Sequence, residues 1–169
     1  MRGDELTQDD DEEMDMAVNP IPDNYPRVSP YLFISGAADA IGFYGKVLGA
    51  VERGGPMLSP DGKVFHAELE IGDSLIMLSD EFEEFGNRSP KTIGGTPVLI
   101  SVYVENVDDV FNRAIEMGAK EIQPVQDQFY GDRLGQFEDP FGHRWSIASH
   151  VEDVSPEEMG KRVAEQYGG

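Results

Sequence analysis

The apolar residues of this chain follow two alternating rhythms, and both rhythms occur twice. From Val64 to Ile71 the period is two: Phe65, Ala67, Leu69 and Ile71 share one side, His66, Glu68 and Glu70 the other, which predicts a half-buried strand. From Ala37 to Leu48 the apolar positions are Ala37, Ala40, Ile41, Tyr44, Val47 and Leu48, one face of a helix that Gly49 ends. A strand over Ser29 to Ile34, with Pro30 near its start, precedes that helix, and Gly72-Asp73 turns the chain into a further strand from Ser74 to Ser79. Val98 to Val104 then reads as a strand. The stretch Val107 to Met117 places Val107, Val110, Phe111, Ala114 and Met117 on one helical face before Gly118. Extended pieces follow around Ile122 to Val125 and Leu134 to Glu138. Asp139-Pro140-Phe141-Gly142 is a turn by composition, and it fixes the start of a last strand in which Arg144, Ser146 and Ala148 share one face, Trp145 and Ile147 the other.

The second half therefore replays the first at an offset of about 70 residues. A strand-helix-strand-strand-strand unit used twice predicts an α+β fold: two βαβββ modules forming a cup-shaped pair of mixed sheets with helices on the outer faces. The expected division is a domain over 25–154, with modules at about 28–80 and 98–150, and a linker from Asp80 to Gly95. Ser155-Pro156-Glu157-Glu158 carries an N-cap serine, proline at the first helical position and a capping-box glutamate, so 155–169 reads as a C-terminal helix.

Charge separates off one more segment. Residues 1–24 hold nine acids against Arg2, a balance of −8 out of the chain's −20, with no aromatic before Tyr25. Such a tail cannot bury enough apolar surface to offset its ordering entropy, and disorder is expected. The overall charge argues against nucleic acid or an anionic membrane as partner. With no cysteine there is no disulfide, thiol nucleophile or thiolate metal site, and a cytoplasmic setting fits.

Strand alternation sends Tyr31, Phe33, Leu75, Met77, Leu99, Ser101, Tyr103, Arg144 and Ser146 into the cup, an aromatic and apolar lining suited to a small organic molecule or simply to filling space. His66 and Glu68, two apart on one strand face, are a base with its orienting carboxylate, a partial metal pair, or a solvated face continued by Glu70. Tyr130, Asp132 and Arg133 sit on a loop beside Gly131, where they clamp an anionic substrate, donate a proton, or hold the turn through a structural Asp-Arg pair. The ligand-binding set is thus Tyr31, Phe33, His66, Met77, Tyr103, Tyr130, Arg133 and Arg144; the catalytic candidates are His66, Glu68 and Tyr130. His143 and Trp145 read as structural, and His150 has no assigned role.

The helix Ala40-Ile41-Gly42-Phe43-Tyr44-Gly45-Lys46-Val47-Leu48-Gly49-Ala50, the strand His66-Ala67-Glu68-Leu69, the loop Tyr130-Gly131-Asp132-Arg133 and the turn Asp139 to Trp145 together resemble the vicinal oxygen chelate superfamily, its PhnB-like branch in particular. That superfamily includes glyoxalases, bleomycin-resistance proteins and extradiol dioxygenases. The resemblance implies four metal ligands from the first and last strands of each module, and those positions here are Ser29, Met77, Leu99 and Ser146. None is a good ligand for a divalent ion. The expectation is a metal-independent, cofactor-free binder of a small organic molecule, a possible homodimer, with bleomycin resistance by sequestration as the nearest functional type. The alternative is a glyoxalase-like lyase or isomerase whose metal is held by a non-standard set including His66 and Glu68. A third class is an interaction protein working through the acidic tail and the C-terminal helix.

Overall fold

In the computed structural model residues 18–168 are described, so most of the expected disordered tail lies outside the described residues. The first module runs β1 (Tyr31–Ile34), α1 (Ala37–Leu48), β2 (Val51–Glu52), β3 (Met57–Leu58), β4 (Val64–Ile71) and β5 (Ser74–Asp80). The second runs β6 (Leu99–Tyr103), α3 (Val107–Glu116), β7 (Lys120–Asp127), β8 (Asp132–Glu138) and β9 (Arg144–His150). Between them lies α2 (Pro90–Ile93), and α4 (Pro156–Tyr167) ends the chain.

The sheets are β1-β5-β4-β2, with β3 also on β4, and β6-β9-β8-β7. In each, the strand before the main helix lies parallel to the last strand, because a helical crossover returns the chain in the same direction, and the remaining pairs are antiparallel. This is the α+β pair of mixed sheets in two βαβββ modules that the repeat predicts. Pro124 falls inside β7, which is tolerable because β7 is the sheet's outer strand and its pairing to β8 slips in register there.

Each sheet buries one face against its helix. Leu32, Ile34, Leu69 and Leu78 meet Tyr44 and Val47 of α1, while Phe137, Trp145 and Ile147 join Phe111 of α3, all in one continuous core. Phe111 lies so close to β8 that a Cβ on Gly135 would stand 2.9 Å from its ring carbons. The helices touch as well: an Arg113 guanidinium N–H donates to the Lys46 carbonyl at 3.3 Å.

The segment 80–95 is not the plain linker its polar composition suggests. It forms a single 3-10 turn at Glu83–Phe85 and then α2, and buries Phe82, Ser89 and Pro90. One aromatic and one proline give it enough apolar surface to pack. The short β3 is an addition to the repeat, and β2, which takes the place that β7 takes in the other sheet, is like it only two residues long, too few to produce a readable alternation.

The turn before β9 is built on a buried carboxylate. Asp139 accepts from Tyr44 Oη at 2.7 Å, Trp145 Nε1 at 2.8 Å, and the backbone N–H groups of Phe141 and His143 at 2.9 and 3.0 Å. Burial, with Asp139 alongside, pushes the Tyr44 phenol well above its usual pKa. Gly142 sits at φ 93, and a Cβ there would lie 2.9 Å from that of Pro90, so α2 is pressed onto the turn.

Candidate functional site

The faces turned away from the helices carry most of the candidate residues. In the first sheet Tyr31 pairs with Met77, and Met77 with Glu68, so three side chains stand in a row across β1, β5 and β4. His66, one step along the same face of β4, completes a hydrogen-bonded chain. The Tyr31 hydroxyl lies 3.0 Å from His66 Nδ1, His66 Nε2 lies 3.3 Å from Glu68 Oε1, and the hydroxyl of Tyr25 donates to Glu68, lying 3.0 Å from both oxygens. Tyr25 is pinned in turn by Arg53, whose guanidinium lies 4.5 Å from its ring centroid and donates to the Asn24 carbonyl at 2.8 Å. The hydrogen bond to Glu68 raises the Tyr25 phenol above its ordinary pKa.

Two clefts meet at Tyr31. One, of about 350 Å³, is lined by Tyr31, Met57, Phe65, His66, Phe82, Phe85 and Asn87. The other, of about 570 Å³, runs between β1 and β6 and includes Phe33, Leu99 and Ser101, with Arg88 and His143 among its polar members. His143 also fixes the edge of β1, its Nε2 lying 3.1 Å from the Phe33 carbonyl oxygen. Phe82, Phe85 and Asn87 were hidden from sequence reasoning in the presumed linker; the signal was two phenylalanines three apart in an otherwise polar run. Tyr25 was visible only as the first aromatic after the acidic tail.

A second polar cluster sits on the corresponding face of the other sheet. Tyr103 donates to Asp132 Oδ2 at 2.7 Å, and His150 reaches Asp132 with Nδ1 and Asp153 with Nε2, each at 2.8 Å. Burial pushes Asp132 up, but the hydrogen bonds from His150 and Tyr103 outweigh it and hold its carboxyl below the ordinary value. The same bond raises the Tyr103 phenol. Hydrogen bonds first to Asp153 and then to Asp132 raise His150, the residue to which the sequence assigned no role. A histidine held as a cation between two carboxylates stabilises the fold fully below its unfolded pKa of about 6.5, and the contribution is lost as pH rises through the raised folded value. Melting temperature should accordingly fall as pH is raised through that window, and His150→Gln should flatten the slope. A pH dependence unchanged in the variant would show that His150 is not the group responsible.

The remaining candidates divide between the faces. Arg144 lies on the open face, half-exposed, with Nε 3.6 Å from Glu138. Tyr130 is 37% exposed and packs edge-on against Phe129, and desolvation, with Asp132 nearby, raises its phenol. Arg133 faces the other way. Its Nε and Nη2 each donate to one oxygen of Asp108 on α3 at 2.8 Å, and Nη1 to Asp127 at 3.0 Å, so the structure ties it to a helix and not to the open face.

The positions implied for a metal offer a hydroxyl at Ser29, a thioether at Met77, a hydrocarbon at Leu99 and a buried hydroxyl at Ser146. Divalent ions bind imidazole and carboxylate at such positions, and this donor set does not fit one. Among the described residues no group of three or more His, Asp or Glu side chains is arranged to hold a metal ion, and no helix is long and apolar enough to cross a membrane.

Comparison with known proteins agrees with the fold. An uncharacterised protein of Mycobacterium bovis is 42% identical over 147 residues, 85% of this chain and 96% of that protein. A crystal structure of a Pseudomonas aeruginosa protein superposes with a TM-score of 0.61 at 23% identity, covering 75% of this chain and 99% of the other. A Bacillus cereus PhnB protein, described as a putative 3-demethylubiquinone-9 3-methyltransferase, gives 0.58 at 17% identity over 73% of this chain and 99% of its own. Residues 27–147 match the family described as Glyoxalase/Bleomycin resistance protein/Dioxygenase superfamily, and the chain belongs to it.

Proposed function

We propose that this protein binds a small organic molecule in the clefts that meet at Tyr31, and that it does so without a resident metal. The observation that carries the reading is the shared wall: one tyrosine separates two clefts whose linings are mainly aromatic and aliphatic, with a few polar groups placed among them. Phe33 and Met77 flank that wall, and His66 supplies its polar point. A ligand at a hundred times its Kd would add about 2.7 kcal/mol of stability. Thermal-shift screening of aromatic organic compounds should therefore find ligands that raise the melting temperature by several degrees, and Tyr31→Ala should remove the shift. A screen whose hits act equally on the variant would place binding elsewhere.

The acidic surface disfavours nucleic acid and anionic membranes as partners. A second copy of the chain is the expected macromolecular partner, since Leu99 and Tyr103 are 46% and 68% exposed on the face that carries the clefts. Sedimentation of the purified protein tests this.

The competing reading is a lyase or isomerase whose metal is held by a non-standard set including His66 and Glu68. Two protein donors on an open strand face make a loose site, and a structural contribution from metal needs several deprotonated donors to converge. Protein purified without a polyhistidine tag should contain far less than one zinc, nickel, iron or manganese per chain, and chelator should leave its melting temperature unchanged. Stoichiometric metal that survives dialysis and disappears in His66→Ala would put the enzyme reading first.

A further inference from the structure

The hydrogen-bonded chain from Tyr25 to Tyr31 has a direction. A carboxylate only accepts, so in the neutral imidazole the contact at 3.3 Å between Glu68 Oε1 and His66 Nε2 places the single ring N–H on Nε2. Nδ1 is then left as an acceptor, and the hydroxyl 3.0 Å away must be its donor. Tyr31 thus gives its proton to His66, and its oxygen lone pairs remain for a ligand. Glu68 is itself held, both oxygens lying 3.0 Å from the Tyr25 hydroxyl, and Tyr25 is backed by the Arg53 guanidinium at 4.5 Å. Every group in the row is oriented by the next.

We propose that this row is a proton relay that makes Tyr31 the acid–base residue of the 350 Å³ cleft, acting on an aryl-substituted carbonyl compound with an acidic C–H. The inference rests on the binding site proposed above and assigns it chemistry. Tyr31 Oη takes the proton from the ligand carbon while its own proton passes to His66 Nδ1. The C–H bond breaks, its electron pair moves into the carbonyl group as an enolate, and the phenol is left intact beside an imidazolium. Return of the proton along the same path restores every group, so the step needs no oxidant, reductant or co-reactant. The lining matches this class of ligand. Phe65, Phe82, Phe85 and Met57 offer faces to an aromatic ring, and Asn87, the cleft's one amide side chain, offers a donor for the enolate oxygen. Tyr31 and His66 line the cleft and are the catalytic residues of the proposal. Glu68 and Tyr25 are positioning residues that act through His66.

Two measurements on the full chain test it. In ¹⁵N-histidine-labelled protein, long-range ¹H–¹⁵N spectra of the neutral imidazole should show His66 protonated at Nε2. Glu68→Gln should mix the two tautomers, and Tyr25→Phe should shift the His66 signals in the same direction by less. A proton on Nδ1 in the unaltered protein overturns the relay without reference to any substrate. In D₂O, phenylacetone serves as the probe, and its benzylic protons should exchange faster with the protein than in buffer. Positioned acid–base groups typically contribute about 10²–10⁴-fold, so Tyr31→Phe and His66→Gln should each lose on the order of 10²-fold or more. Probe that binds by titration but exchanges no faster than in buffer, or as fast with Tyr31→Phe, overturns the proposal and leaves the binding site standing. Failure of phenylacetone and of the wider compound screen to bind at all would instead remove the site itself.

Discussion

Trp145→Ala is expected to destabilise the protein by about 3–5 kcal/mol, the usual cost of removing a large buried ring whose cavity cannot fully collapse. Trp145 is fully buried, its ring 5.2 Å from that of Tyr44, and its Nε1 is tied to Asp139. At roughly 2–4 °C per kcal/mol for a chain of this size, the melting temperature should fall by about 10 °C. Arg144→Ala, one residue away on the opposite face, should cost less than about 1 kcal/mol, since its ion pair with Glu138 is largely exposed. Thermal and denaturant unfolding of the two variants provides the check. Equal losses, or a larger one at Arg144, would mean that β9 presents its other face to the helices, and that the open face of the second sheet has been misassigned with it.

That strand illustrates what was legible in the sequence. A turn of fixed chemistry followed by alternation determines which side chains share a face, because register in a strand with one buried side tolerates no slip. The same logic located α1, β4 and α3 to within a residue of their observed ends, where periodicity is long and glycine or an N-cap marks the limits. It failed where packing is decided by one or two residues. Phe82 lines one cleft and Pro90 the other, and beyond two phenylalanines three apart nothing in the polar run 80–95 marks it as a wall.

The candidate site was legible to the same depth. Alternation placed Tyr31 and Met77 in the cup and His66 and Glu68 opposite the apolar side of their own strand; it is the strand register that puts all four on one face. Partners from outside the sheet were beyond it. Tyr25 reaches Glu68 across 43 positions and Asp108 captures Arg133 across 25, and both contacts depend on how a strap or a helix lies over the sheet. The tyrosine-glycine loop hinted at an open arginine, but a helix N-terminus carrying a carboxylate was a stronger partner for it.

The largest loss of stability should come from Asp139→Ala. The substitution removes the acceptor for four hydrogen bonds at once, two from buried side chains and two from the backbone of the turn. A buried donor left without an acceptor costs about 1–3 kcal/mol, so even the lower end gives about 4 kcal/mol, much of the 5–15 kcal/mol that keeps a typical domain folded. Water cannot easily replace the carboxylate, because Tyr44 and Trp145 are fully buried around it. Asp139→Asn should recover part of the loss by keeping one carbonyl oxygen, and not all of it, since its amide N–H groups would face donors. The effects of Asp139→Ala and Trp145→Ala should also fall short of additive by about 1–2 kcal/mol, because the second change deletes a donor that the first leaves unpaired. Urea unfolding of the two single variants and the double variant measures this coupling. If Asp139→Ala lowered stability by less than about 1 kcal/mol, the carboxylate would not be the group that joins α1 to the turn ahead of β9, and the account of how the first module's helix is anchored to the second sheet would have to be abandoned.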